Sequence, residues 1–501
     1  MPDAVVIGAG PNGLVAANLL ADAGWSVEVL EAQRRPGGAV KSSEHVEPGF
    51  VHDEFSSFYP LTAASPAMRK LELERYGLRW AHGPLVLAHP AADGSCAVLS
   101  RDLGETAASL DQFAAGDGDA WRELFARYRR IEQPFLQALS TPFPPVRAGL
   151  SMALRLRKEL PDFARFGVLS VRRLADESFE GEGGGRLLAG NALHADLLPE
   201  SSIGGFFGWF LCALGQTVGY PCVEGGAGGL TDALVRRLES KGGRVTCNAR
   251  VDEIVVRNGR AVAVRSSAGE VDAGKAVLAD VHAVALYLDL LAREHVPTQV
   301  LDGIRKLELD PATLKVDWTL DGPIPWSAEE ARRAPVVHVA ESIDELSVTA
   351  SELARGLVPS DPFLVLGQYS PADATRQPEG KETAWAYTHL PQGAEPGDLP
   401  ERMEARIEAL TPGFGALIRK RHVWTPALLE QANENLRGGA LNGGTAQLHQ
   451  QLIFRPVPGL GRPETPVKRL FLCSSSAHPG GGVHGGPGAI AARAALHKLR
   501  R

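Results

Sequence analysis

Gly8, Gly10 and Gly13 stand in G-x-G-x-x-G spacing near the start of the chain, and Glu31 follows within AVVIGAGPNGLVAANLLADAGWSVEVLEA. Residues of these types at this spacing bind a dinucleotide. Gly8 permits a tight turn, Gly10 leaves room for a pyrophosphate beside Pro11 and Asn12, and Gly13 lets helix and strand pack closely. Free N–H groups at the helix start attract the phosphates, and Glu31, next to Ala32, accepts from the adenosine ribose hydroxyls. Near the other end, residues 474–488 hold six glycines and two prolines. A backbone this bare can come very close to something flat or charged. His478 and His484 flank that loop and are the candidate catalytic bases, since imidazole exchanges protons near neutral pH. His194 and His449 are weaker candidates for the same role.

These residues need particular elements to hold them. Ala4 to Ile7 is a short, wholly apolar run, as a parallel strand buried on both faces requires. Helical spacing through Leu14, Ala17 and Leu20 ends at Gly24, and a second strand, Val27 to Leu30, delivers Glu31. Further on, Leu230, Leu234 and Leu238 predict a helix that stops at Gly242-Gly243. Short strands follow, with hairpin turns at Asn258-Gly259 and Ala268-Gly269. Leu470 to Leu472 forms a last strand, and a helix begins near Pro487-Gly488, where a proline in the first turn costs no hydrogen bond. The fold class is α/β. Residues 1–90, 220–285 and 440–501 build one Rossmann-type nucleotide domain. Residues 91–219 and 286–439 form a discontinuous α+β substrate domain, with binding expected between the two.

Composition narrows the function classes. With 501 residues the chain exceeds one ordinary core. Its net charge of −7 argues against nucleic acid as a partner, which needs a basic surface. Five cysteines without a C-x-x-C pair exclude a redox-disulfide reductase and a structural metal site, and they fit a reducing cytoplasm. The start of the chain has no signal-peptide pattern, and the most apolar run, GGFFGWFLCALG at 204–215, is too short to span a bilayer. The basic stretch 147–173 is a candidate for peripheral membrane contact.

Directly after Glu31 comes AQRRPGGAVKSS, and the pair Gly37-Gly38 followed by Ala39 extends the dinucleotide site into a second loop. E-A-x-x-R-x-G-G resembles the second fingerprint of the flavoprotein superfamily that contains amine oxidases and phytoene desaturases. The resemblance implies FAD, with Arg35 and the glycines along its ribityl and pyrophosphate and Val251 against the adenine. The segment L-x-L…H-P-G-G-G-V-x-G resembles the C-terminal signature of phytoene desaturase-like oxidoreductases, a group that includes carotenoid desaturases and isomerases and retinol saturase. That likeness places Ser475, Gly482, Val483 and Gly486 at the flavin and points the last helix at its ring, where the helix dipole favours the reduced state. GFVHDEFSSFYPLTAASP at 49–66 and RLLAGNALHADLLPE at 186–200 also read like this group. Ser474 and Ser476 depart from it, standing where carotenoid desaturases have glycines. The expected activity is hydride transfer from a small, apolar or polyfunctional substrate to the flavin, with electrons leaving to oxygen or a quinone. An amine oxidase, a redox-neutral isomerase and a flavin-free prenyl carrier like the Rab GDP-dissociation inhibitors are the alternatives.

Overall fold

The computed structural model describes residues 1–499. Five short strands form a parallel sheet: β1 (Ala4–Ile7), β2 (Val27–Leu30), β3 (Arg244–Thr246), β4 (Ala276–Ala279) and β5 (Leu470–Leu472), in the order β5-β4-β1-β2-β3. β1 is central and covered on both faces, which is why its residues are all apolar. One face carries three helices, α1 (Pro11–Asp22), α2 (Gly228–Ser240) and α3 (Gly486–Lys498), whose Leu14, Leu20, Leu230, Leu234, Ala489 and Ala492 pack on Val6, Val29 and Leu278. The other face carries a three-stranded antiparallel meander, Val251–Arg257, Arg260–Ser266 and Gly269–Asp272. Asn258 and Gly259 both have positive φ, +52° and +70°, the geometry of a two-residue hairpin turn.

Two boundaries read from the sequence shift. Leu87–Pro90, assigned with residues 1–90 to the nucleotide segment, instead pairs with Val336–Val339 and Cys96–Leu99 in a second sheet. The chain beyond residue 285 stays on the first sheet, because Leu286, Tyr287, Leu301 and Ile304 pack against Val5, Ile7 and Leu472. Neither shift is visible in composition, since both segments are simply apolar.

The second sheet has seven strands in the order Ile418–Trp424, Ala312–Leu320, Glu382–Leu390, Leu364–Gln368, Val336–Val339, Leu87–Pro90 and Cys96–Leu99, antiparallel except between the fifth and sixth. Helices cover its near face. Among them is Gly204–Val218, the apolar run noted above, which is buried against the helix Glu182–Ala192. No helix among the described residues is long and apolar enough to cross a membrane.

Candidate active site

The first glycine turn is built by close packing. Gly10 caps α1 without any side-chain hydrogen bond, Pro11 occupies the first turn, and no acidic residue lies there. A methyl group on Gly13 would lie 2.3 Å from the Gly8 carbonyl oxygen, so only glycine lets α1 start this close to β1. Glu31, buried at the end of β2, accepts from the Ala9 N–H at 2.8 Å and the Gln33 N–H at 2.9 Å. Each oxygen keeps a lone pair for a ribose hydroxyl. The second glycine pair folds onto the first: the Gly37 N–H donates to the Ala9 carbonyl at 2.9 Å, and a methyl on Gly38 would reach 3.0 Å from the Gly10 Cα. Val251 is buried at the start of its strand, just after Ala249, whose N–H donates to the Glu31 carbonyl at 2.8 Å.

Other predicted residues are placed less simply. Ala32 is exposed. Arg35, expected along the cofactor, is half exposed and ion-paired with Glu54 at 2.9 Å. A buried cation that interacts with Glu31 is Lys41, which has no counterpart in the motifs above. Burial lowers its pKa, and the carboxylates of Glu31 and Glu54 oppose that shift. The Ala39 carbonyl is taken up by the Ser56 hydroxyl at 2.6 Å. The Asn12 side-chain oxygen is buried and has no hydrogen-bond partner among the described residues.

The C-terminal loop answers why so few side chains precede α3. A methyl on Gly488 would sit 2.0 Å from the Asn12 carbonyl, so the starts of α3 and α1 abut, and the last glycine loop lies beside the first. The loop is pinned by Thr62, whose hydroxyl donates to the Val483 carbonyl, and by Ser65, which donates to the His484 carbonyl at 2.6 Å. Buried Arg455 donates from Nε and Nη2 to the Ser475 carbonyl, at 3.1 and 2.8 Å. Ser474 and Ser476 are both buried, and the Ser476 hydroxyl accepts from the Ala283 N–H at 3.1 Å. Gly482 is the exposed member of the loop.

The two candidate histidines differ. His484 has both ring nitrogens engaged by its own loop: Nε2 donates to the Gly481 carbonyl at 3.1 Å, and Nδ1 accepts from the Gly486 N–H at 3.0 Å. Contrary to the expectation of a base, it braces the loop and has no lone pair to offer. His478 is also buried, with Phe143 edge-on at 5.7 Å, but its Nε2 has no partner among the described residues. Burial first, then His484, brings the His478 pKa down to about 4, so the ring is neutral at pH 7 and can accept. His194 shares its Nε2 with His338 at 2.8 Å, and His449 is an exposed partner of Glu308.

A further set of polar residues escaped the sequence reading. Strand alternation puts Leu314, Val316, Trp318, Ala384, Ala386 and Leu366 on one face of the seven-stranded sheet, which is an ordinary core. The opposite face is just as buried, yet it carries Lys315, Asp317, Trp385, Tyr387 and His389 in adjacent register. Lys315 is ion-paired to Asp317 and donates to the Asp53 carbonyl at 2.9 Å. Burial pushes the Asp317 carboxyl up, but Lys315 and His45 hold it below the usual range. Beside them Arg376, fully buried, pairs with Asp53 at 2.8 Å and Asp373 at 3.0 Å, and Tyr369 donates to Asp53 at 2.7 Å. The signal was present as alternate K-x-D within TLKVDWTL, but only strand pairing shows that this face is covered.

A helix start that its own N-cap residue leaves without a side-chain bond, two glycine loops in contact, a buried acid with spare acceptor capacity and the Asn12 oxygen without a partner among the described residues together fit the phosphates and ribose of FAD. Comparison with known proteins agrees. A family model described as flavin containing amine oxidoreductase matches residues 12–384. The mouse protein named pyridine nucleotide-disulfide oxidoreductase domain-containing protein 2 is 28% identical over 99% of this chain and 94% of its own. The lycopene-forming phytoene desaturase of Pseudescherichia vulneris is 25% identical over 100% and 99%. Among solved structures, putrescine oxidase bound to putrescine aligns with a TM-score of 0.62 at 17% identity, over 100% of this chain and 99% of that one. At that identity the likeness is one of fold. The site and the flavin-containing family both point to FAD as the cofactor.

Proposed function

The chain belongs to the flavin-containing amine oxidoreductase family, and from that membership we propose an FAD-dependent dehydrogenase or desaturase that takes a hydride from a C–H of an apolar or polyfunctional small molecule. Bound FAD supplies the hydride acceptor, its N5 atom. The chain's own residues do the remaining work. Trp385 and Tyr387, stacked with ring centres 6.1 Å apart, give a substrate an apolar wall that excludes water. Lys315 and Asp317 hold that wall against the segment carrying Asp53. His478 Nε2 takes the proton that leaves the carbon next to the hydride donor.

The unpaired nitrogen of His478 carries this reading. It is a buried acceptor in a loop bare of side chains, with a lone pair that no described residue engages. Residues 473–490 contain no Phe, Tyr or Trp to flank an amine nitrogen, only His478 and His484, which weighs against an amine oxidase. The glycine loops are intact on both sides, which a flavin-free carrier would not need. Full-length likeness to a phytoene desaturase supports a lipophilic substrate. So does the helix Val146–Leu156, which exposes Val146, Leu150 and Leu154 beside basic Arg147 and Lys158 and suits peripheral contact with an anionic membrane. Electrons leave to oxygen or a quinone. Five unpaired cysteines support a reducing, cytoplasmic setting.

Anaerobic rapid mixing of the flavin-loaded protein with terpenes and carotenes on one side, and with mono- and polyamines on the other, tests the reading. Bleaching by the first set, slowed about 100-fold or more in His478→Ala with flavin content retained, is expected. Bleaching by amines with peroxide release would overturn it, and an unchanged rate in His478→Ala removes that histidine as the base.

A further inference from the structure

Asp280 follows β4 and lies behind the first glycine turn with 5% of its surface exposed. Methyl groups on all three motif glycines would strike it: from Gly8 at 2.8 Å on its carbonyl oxygen, from Gly10 at 2.7 Å on Oδ2, and from Gly13 at 3.1 Å on Cβ and Oδ2. The Gly13 N–H donates to Oδ2 at 2.8 Å and is the carboxyl's one hydrogen-bond donor among the described residues. Its backbone is held from both sides. The Asp280 N–H donates to the Ile7 carbonyl at 2.8 Å, and the Asn435 side chain donates to the Asp280 carbonyl at 2.9 Å while accepting the His282 N–H at 2.7 Å. Since Ala283 in turn donates to Ser476, residues 280–283 tie the first glycine loop to the last.

We propose that Asp280 is a positioning residue of the FAD site, its carboxyl shaping the phosphate turn from behind and taking up a proton from solvent as the pyrophosphate arrives. The glycine spacing therefore serves two bodies at once, the phosphates in front and this carboxyl behind. An ionised carboxylate there would face Glu31 from β2 and two incoming phosphate charges, with a single N–H to stabilise it. Burial, and after it Glu31, already raises the Asp280 pKa to about 7. Burial pushes the Cys473 thiol far up, and burial first, then Arg437 and Arg455, brings His282 down to about 4. Lys41 interacts with Glu31, and burial lowers its pKa against the pull of that carboxylate. Added phosphate charge raises the carboxyl's pKa further, so binding takes up a proton wherever the free site is ionised.

The proposal rests on FAD occupying these turns. The test dilutes the flavin-loaded protein between pH 6 and 9 and reads dissociated FAD by its fluorescence. In the unmodified protein the dissociation constant should rise by up to tenfold per pH unit above about 7. Asp280→Asn keeps the acceptor oxygen without the charge and should bind with a flat profile. Asp280→Ala should bind about tenfold more weakly at pH 6. If the alanine variant fails to fold, the asparagine profile decides alone. A slope that survives in Asp280→Asn assigns the titration elsewhere, to Lys41 for example, and overturns the proposal, as does a flat profile in the unmodified protein. A colourless unmodified protein instead sinks the FAD assignment itself.

Discussion

Replacing Gly488 by alanine tests the central contact of the site without touching any polar group. The added methyl would lie 2.0 Å from the Asn12 carbonyl oxygen, whereas real Cβ atoms essentially never come within 3.0 Å of another heavy atom. The starts of α1 and α3 must therefore separate by about 1 Å. The obstacle is backbone and cannot swing aside as a flexible side chain would. Overpacking of this kind costs on the order of 1–3 kcal/mol or more. The displacement falls on the Gly8–Gly13 turn, so cofactor affinity should drop together with stability. Gly149→Ala is the control: it lies inside the helix Val146–Leu156 with nothing within 4 Å of the new methyl. Alanine favours a helix by about 1 kcal/mol over glycine there, so that variant should be neutral or slightly stabilised. Urea unfolding and the flavin-to-protein absorbance ratio measure both. Unfolding midpoint and flavin content in Gly488→Ala equal to those of Gly149→Ala would refute the packing of the two loops.

Two further outcomes follow from the buried charges. Arg376→Met strands Asp53 and Asp373 in the interior and should cost about 3–5 kcal/mol in urea unfolding, whereas Arg265→Met, which loses only exposed pairs with Glu253 and Glu270, should stay within about 0.5 kcal/mol. Six histidines, among them His52, His478 and His484, are held by burial at about 4, below the ordinary 6.5. Their folded pKa is the lower one, so the unfolded chain binds more protons, and the stability they contribute above pH 6.5 is lost as pH falls toward 4. Asp196, Asp280 and Glu382, raised to about 7, work in the opposite sense, losing their contribution as pH rises from about 4 to 7. The histidines outnumber them, so calorimetry at pH 5.5 should find net proton uptake on unfolding and a lower melting temperature than at pH 7.

Local pattern was enough for the nucleotide half. β1, α1 and Glu31 are legible because a doubly covered strand must be apolar throughout, a helix shows its period, and a phosphate turn restricts residue type at each step. The hairpin at Asn258-Gly259 is legible for the same reason, since its backbone geometry demands those residues. The bareness of residues 480–488 could be seen in the sequence, but its cause could not. Gly488 is glycine because of Asn12, hundreds of residues away, and nothing in the neighbouring sequence records that contact.

The remaining site residues were decided by tertiary structure. His478 and His484 look alike in sequence, six positions apart in one loop, and differ only because the chain's turn hands both nitrogens of one to backbone groups and leaves a nitrogen of the other unpaired. Lys315 and Asp317 read as an ordinary half-exposed strand until the 42–58 segment and its Asp53 close over that face. Asp280 reads as a strand end until the three glycines that follow the neighbouring strand β1 are found against it. Sequence by itself determined the elements and a dinucleotide turn, because those rest on dihedral preference and burial period, which act between near neighbours, while FAD in particular followed from the likeness of two motifs to known flavoproteins. Which side chains are free to react depended on what else is packed beside them, and that is set only when distant segments meet.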